Sequence, residues 1–346
     1  MRKTRICGKS LDELVTWLKS MHQPGYRGRQ IYKWIYQQGA VNFEEMTDLP
    51  QVLRQSLQDS AWVGLPTVIR RQTAKDRTVK LLLELEDEQS VEAVLMQYDL
   101  DLSRDRLTFC ISTQVGCPIG CPFCATGQSG FVRNLDAGEI IGQVLALQQE
   151  ADHSVTGMNV VFMGMGEPLL NYTEVLKSIQ LLHDPQGMDI SYRRITVSTS
   201  GVSPRIYELA REGLPINLAV SLHAPNNRLR DELVPINRRY PLETLMPACR
   251  EYFEMTKRRL TFEYLLLKGI NDTKQQAEEL VALVKGMPAL INLIPANPTS
   301  GEYQKPNAER IRLFARVLRD QGLEVTIREE RGGEISAACG QLRRSV

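Results

Sequence analysis

Phe109-Cys-Ile-Ser-Thr-Gln-Val-Gly-Cys117-Pro-Ile-Gly-Cys121-Pro-Phe-Cys124 decides the fold, because it joins an apolar, β-rich run to a loop rich in glycine and cysteine, and the same junction then recurs. Apolar runs of strand character begin near 109, 158, 194, 216, 260, 290 and 323. Helix-like segments separate them near 136–150, 172–183, 203–212, 242–257, 273–285 and 307–321, with Asp136 and Glu139 as a capping box at the first. Strand and helix in alternation predict an α/β fold with a parallel sheet and crossover helices. Six or more such units favour a full or partial (β/α) barrel over an open sheet.

In a barrel of this kind the loops after the strands share one mouth, so chemistry is sought at the strand ends. Beyond the cysteine loop these read Met163-Gly-Met-Gly-Glu167-Pro168, Ser198-Thr-Ser-Gly201, Ser221-Leu-His223, Lys268-Gly-Ile-Asn-Asp272 and Pro295-Ala-Asn297-Pro298. Polar and glycine-rich residues are thus gathered at one rim.

Ahead of the barrel, residues 1–60 read as a small helical domain. Ser10 and Glu13 form a capping box, Leu11, Leu14, Val15 and Leu18 repeat at helical spacing, and a second helix is expected over 27–38. Residues 61–105 read as a β-rich connector with strands near 66–72, 78–85 and 90–96, and 106–346 as the barrel with a C-terminal cysteine loop. The net charge is only +1, yet residues 1–36 carry eight Lys and Arg against Asp12 and Glu13, a distribution suited to phosphate. Tyr26, Arg27, Arg29, Tyr32, Lys33 and Trp34 offer rings and charges there, either for RNA or as core and solvated face. No stretch is apolar enough for a leader or a membrane span, and a cytoplasmic monomer is expected.

Seven cysteines, three of them within eight residues, do not form a secreted disulfide framework and point to metal or catalysis. Cys117, Cys121 and Cys124 have the spacing C-x3-C-x2-C, which lets one loop hold three irons of a 4Fe-4S cube and leaves the fourth iron for a substrate. The spacing is the signature of radical S-adenosylmethionine (SAM) enzymes. A structural zinc site of three cysteines and a histidine is the alternative, with His22, His153, His183 and His223 as the available rings. Gly166 and Glu167 suit SAM, since glycine lets backbone approach a ligand and a carboxylate accepts an ammonium's hydrogens. Cys110 and Cys339 stand in polar or glycine-flanked settings apart from the triplet, whereas Cys7 and Cys249 read as small core residues.

The stretches 109–127, 163–171, 198–201, 221–225, Val234-Pro-Ile-Asn237 and Ala337-Ala-Cys-Gly-Gln-Leu342 resemble the RlmN/Cfr family of radical SAM RNA adenine methyltransferases over nearly the whole chain. What the resemblance implies is methylation of an sp² ring carbon, using two SAM molecules per turnover. The first methylates the cysteine matching Cys339. The second, bound at the cluster, yields a radical that activates the S-methyl group for addition to adenine. Cys110 then resolves the covalent RNA adduct, leaving a disulfide with Cys339, and Glu92 matches the proton acceptor, although five extra residues separate it from Cys110 compared with the family pattern. By the same match Gly166, Glu167, Ser198, Ser221, Leu222, His223 and Asn297 line the SAM pocket, and Ala296 replaces a tryptophan of some relatives. The implied substrates are 23S ribosomal RNA and tRNA, with a flavodoxin- or ferredoxin-like electron donor. Pro168 and Ser200 resemble the C2-methylating branch, and the C8-methylating branch is the nearer rival. A non-catalytic RNA-binding protein with a zinc clip is the rival from another class.

Overall fold

The computed structural model describes residues 3–98, 106–151, 157–297, 303–329 and 331–342, so that His153 and Pro298 lie outside the described residues. The N-terminal part holds β1 (Thr4–Arg5), α1 (Leu11–Ser20), α2 (Tyr26–Tyr36), α3 (Gln51–Ser60) and β2 (Ala61–Trp62), with β1 and β2 paired in parallel. Helix α1 starts where expected, because the Ser10 hydroxyl and the Glu13 carboxylate each satisfy the other's backbone N–H. Of the rings and charges there, Tyr32 is core, its hydroxyl donating to Asp184 at 2.8 Å. Trp34 donates to Asp48, while Tyr26 is half exposed with Arg27 over its ring.

Three antiparallel strands follow, β3 (Thr67–Thr73), β4 (Val79–Glu84) and β5 (Ser90–Tyr98). They do not stand apart as a link: β5 pairs with β6 (Arg106–Cys110), so they extend the main sheet at one edge. After β6 comes a small hairpin of β7 (Gln114–Gly116) and β8 (Phe131–Asn134), with the one-turn helix α4 (Ala125–Gln128) between its strands.

The remaining chain alternates as read: α5 (Ala137–Glu150), β9 (Met158–Phe162), α6 (Tyr172–His183), β10 (Ile195–Thr199), α7 (Ser203–Arg211), β11 (Asn217–Ser221), α8 (Asn227–Leu233), α9 (Leu242–Thr256), β12 (Leu260–Leu266), α10 (Lys274–Val284), β13 (Ala289–Pro295), α11 (Ala308–Asp320) and β14 (Glu324–Ile327). The ten-stranded sheet has the order β14-β13-β12-β11-β10-β9-β6-β5-β4-β3, parallel from β14 to β6. Among the described residues strand β14 pairs only with β13, so the seven parallel strands form a partial barrel and not a closed one. An α/β fold with a partial parallel barrel is therefore the observed class.

Helix α5 joins the two parts. It is buried from Ala137 through Leu147, and Gly138 lies so close to the N-terminal segment that a Cβ there would come within 2.4 Å of the Cys7 carbonyl oxygen. Both Cys7 and Cys249 are buried thiols of the core, as their settings suggested.

Candidate active site

The strand ends meet at a cavity of about 1070 Å³. Its wall carries Cys117, Cys121 and Cys124, and facing them are Gly166, Glu167, Ser198, Ser221, His223 and Asn297. Leu222, expected beside them, is fully buried and shows no side chain to the cavity. A second cleft adjoins the first, with Cys110, Met96 and Tyr98 among its lining, and Cys124, Asn297, Arg328 and Cys339 line both. Cys110 and the cysteine triplet, from 110–124, are thus brought together with Cys339 from the far end of the chain.

Local hydrogen bonding ties this rim together. The Glu167 carboxylate accepts from Leu169 N and Thr199 Oγ1 on one oxygen, at 3.1 and 2.8 Å, and from Ser200 N and Oγ on the other, both at 2.6 Å. Its four acceptor directions are therefore filled by the loops after β9 and β10, and an ammonium there would share them. Burial pushes the Glu167 pKa up against the pull of these hydrogen bonds. Arg230, with no exposed surface, donates to the carbonyl oxygens of Ser200, Ser221 and Leu222 and to Asn237 Oδ1, joining the loops after β10 and β11. His223 is in the left-handed region at φ 58°, accepts from Leu265 N on Nδ1 at 3.0 Å, and meets the edge of Phe123 in the cysteine loop. Burial depresses its pKa to about 3, so the ring is neutral.

The loop bearing Cys339 is tied down on several sides. Ala125 N donates to Gly340 O at 2.8 Å, Thr126 Oγ1 to Leu342 O, and Asn297 Nδ2 to Cys339 O at 3.2 Å. Gly332 N donates to Asp76 at 3.0 Å, which docks the start of the loop on the β3–β4 turn. All seven cysteines are free, so the Cys110–Cys339 disulfide implied by resemblance is not a bond of this structure. The Cys110 thiol is pushed up to about 12 by burial and by the neighbouring Cys339 sulfur, with Arg328 pulling it down.

Glu92 lines neither cavity. It lies on β5 beneath the C-terminal loop, 5% exposed and paired with Lys80. Two charged residues of the site escaped the reading of the sequence. Glu263 on β12 accepts from Asn292 at 2.8 Å, and Arg328, just after β14, faces Cys339, Glu263, Tyr98 and Cys110.

The triplet fits a 4Fe-4S cluster. Cys117, Cys121 and Cys124 are partly exposed toward one cavity and close enough that Cys124 and Cys117 raise the Cys121 pKa beyond what burial does. Yet no three His, Cys, Asp or Glu among the described residues are grouped to hold a single metal ion. Three cysteines of one loop on one wall supply the thiolates that hold iron–sulfur clusters. Gly166, at φ 102°, brings bare backbone to the cavity and fits a ligand laid against it.

Comparison with known proteins agrees with this geometry. Residues 111–284 match the radical SAM superfamily, and 4–63 match the ribosomal RNA large subunit methyltransferase N-terminal domain. The chain is 49% identical to a probable dual-specificity RNA methyltransferase RlmN of Syntrophomonas wolfei, covering 99% of this chain and 98% of that one. It is 51% identical to the protein of the same name from Moorella thermoacetica, covering 97% and 95%. A crystal structure of a radical SAM methyltransferase from Sphaerobacter thermophilus superposes with a TM-score of 0.94 at 46% identity, over 98% of this chain and 99% of that one. Among the described residues, no helix is long and apolar enough to cross a membrane.

Proposed function

The chain belongs to the RlmN family of radical SAM RNA methyltransferases, and from that premise we propose that it methylates C2 of adenosine in 23S ribosomal RNA and in tRNA through Cys339 as methyl carrier. Membership in the superfamily implies a 4Fe-4S cluster and SAM. When bound, the two supply a methyl group and a carbon-centred radical. Cys117, Cys121 and Cys124 hold the cluster, and Gly166, Glu167, Ser198, Ser221, His223 and Asn297 surround SAM, with Leu222 contributing backbone only. Two SAM molecules are consumed per turnover, and electrons come from a flavodoxin- or ferredoxin-like donor.

One observation carries this reading: Cys339 lines both the cavity of the cysteine triplet and the cleft of Cys110. A carrier sulfur must visit the place where methyl is delivered and the place where the product is released. Cys339 sits on that boundary. In the product-releasing step the Cys110 thiolate attacks the Cys339 sulfur. A sulfur–sulfur bond forms as the sulfur–carbon bond to the RNA adduct breaks. The electron pair passes to the carbon, which a proton completes to methyl, and a thiol reductant regenerates the pair. Glu92, which lines neither cavity but shares a sheet face with Cys110, accepts the C2 proton, the role that the resemblance gives it. Desolvation holds Cys110 as a thiol, so Arg328 supplies the cation its thiolate requires.

The test is nucleoside analysis of RNA treated with anaerobically reconstituted enzyme. 2-Methyladenosine together with 5′-deoxyadenosine is expected. 8-Methyladenosine would move the chain to the C8 branch, and a colourless, iron-free protein without 5′-deoxyadenosine would refute the reading altogether.

A further inference from the structure

Lys80 and Glu92 form an ion pair in the interior of the protein. They stand on adjacent antiparallel strands with Lys80 Nζ 2.9 Å from Glu92 Oε1, and 6% and 5% of the residues exposed. The register sets Lys80 opposite Val94 and Val94 opposite Cys110. Opposed residues point to the same face, and Glu92, two positions before Val94, shares it. Glu92 and Cys110 are therefore diagonal neighbours, a relation that places Cβ atoms roughly 7–8 Å apart, within reach of long side chains. The same ammonium also donates to the carbonyl oxygen of Ser336 at 3.2 Å, on the loop that carries Cys339.

Stability does not account for a lysine at this place. Desolvating each ion of a buried pair costs several kcal/mol, and apolar residues of similar volume serve the fold as well or better. What an apolar pair lacks is a donor that touches the carboxylate and the cysteine loop at once. We propose that Lys80 is a positioning residue for methyl transfer: its ammonium holds the Glu92 carboxylate on the face that carries Cys110 and pins the Cys339 loop above it. The inference rests on Glu92 as the base, the C2 proton passing to the carboxylate while its bonding pair stays with the ring. Lys80 itself touches no reacting atom.

The test compares Lys80→Met, Lys80→Arg and Glu92→Gln as reconstituted holoenzymes, with iron content as the check on folding. Methylated product and covalent protein–RNA adduct are both measured, on an RNA fragment of the ribosomal site. Lys80→Met is expected to lower kcat by about a hundredfold, the scale of a base's contribution, with KM for RNA unchanged and adduct accumulating. Lys80→Arg, which keeps the charge, recovers most of the rate. A purely structural role would reduce adduct and product together. That parallel loss at normal iron content, or an unaltered kcat, overturns the proposal. Should Lys80→Met take up no iron, Lys80→Gln, still a donor but uncharged, decides by the same adduct-to-product ratio. Glu92→Gln with normal turnover would remove the base reading. Glu92→Gln stalled at the adduct beside a normal Lys80→Met would remove only the role of Lys80.

Discussion

Asn297 donates from Nδ2 to the carbonyl oxygen of Cys339 at 3.2 Å, so the rim of β13 is fastened to the residue proposed as methyl carrier. The contact sits where the two cavities meet, since both residues line both of them. It fixes the backbone of Cys339 through the carbonyl oxygen and does not engage the sulfur.

Asn297→Ala should therefore loosen the carrier more than the fold. One neutral hydrogen bond contributes about 1 kcal/mol, which in a chain of this size lowers the melting temperature by no more than about 2–4 °C. Misplacement of a reacting group by about 1 Å costs up to a hundredfold in rate, and a loss of at least tenfold in kcat is expected from steady-state methylation. A variant as fast as the parent would show that the Cys339 loop is positioned without this bond.

Gly166→Ala tests the backbone approach at the proposed SAM site. At φ 102° a side chain is strained, and the added Cβ would lie 2.6 Å from Gln114 Cβ and 2.9 Å from its backbone N. The strained conformation alone costs about 1–3 kcal/mol. Gln114 must also keep its bond from Glu167 N at 2.8 Å, so displacing it disturbs the carboxylate that ties two loops. Calorimetry should record both a lower melting temperature and SAM binding weakened tenfold or more. Unchanged SAM affinity in a folded variant would place the ligand away from Gly166.

Arg230→Met should be the most destabilising of the changes in the rim. The guanidinium is the common donor to the carbonyls of Ser200, Ser221 and Leu222, and removing it leaves buried acceptors without partners. Breaking such a network costs about 3–5 kcal/mol. Arg230→Lys should recover little, because an ammonium cannot span three carbonyls as a planar fork does. Denaturant melts of the two variants check this, and a full rescue by lysine would count against the fork geometry.

How much of this was legible beforehand differs by residue. The cysteine triplet, Gly166 and Asn297 follow strands and Ser198 and Ser221 end them, so looking at the end of each strand finds them. The same rule applied to the seventh strand reaches Arg328, directly after β14. Glu263 left a fainter signal, a single carboxylate in the apolar run Leu260–Leu266. Lys80 left none, since a lysine beside Leu81 and Leu83 reads as the outward position of a half-buried strand. Its burial is set by the Cys339 loop, whose Ser336 is 256 residues away. Tyr32, open in the sequence between stacking ring and core, is core for a like reason, its hydroxyl bonding to Asp184 152 residues on. The hairpin of β7 and β8 is too short to show a period.

His223 gives the fold an acid limit. An unfolded histidine titrates near pH 6.5, whereas burial takes the folded ring to about 3. Between those values the unfolded chain binds one more proton than the native one, so this contribution is complete above about pH 6.5 and is lost at roughly 1.4 kcal/mol per unit as pH falls. From pH 7 to pH 5 that amounts to about 2 kcal/mol. Buried carboxylates such as Glu167 and Glu263, whose pKa values are raised, work in the opposite direction. The contrast to measure is therefore between the parent and His223→Gln, which keeps an acceptor for Leu265 N but takes up no proton. The parent should lose about 2 kcal/mol more over that span. Parallel curves would mean that the ring is protonated in the native state and that Leu265 N has another partner.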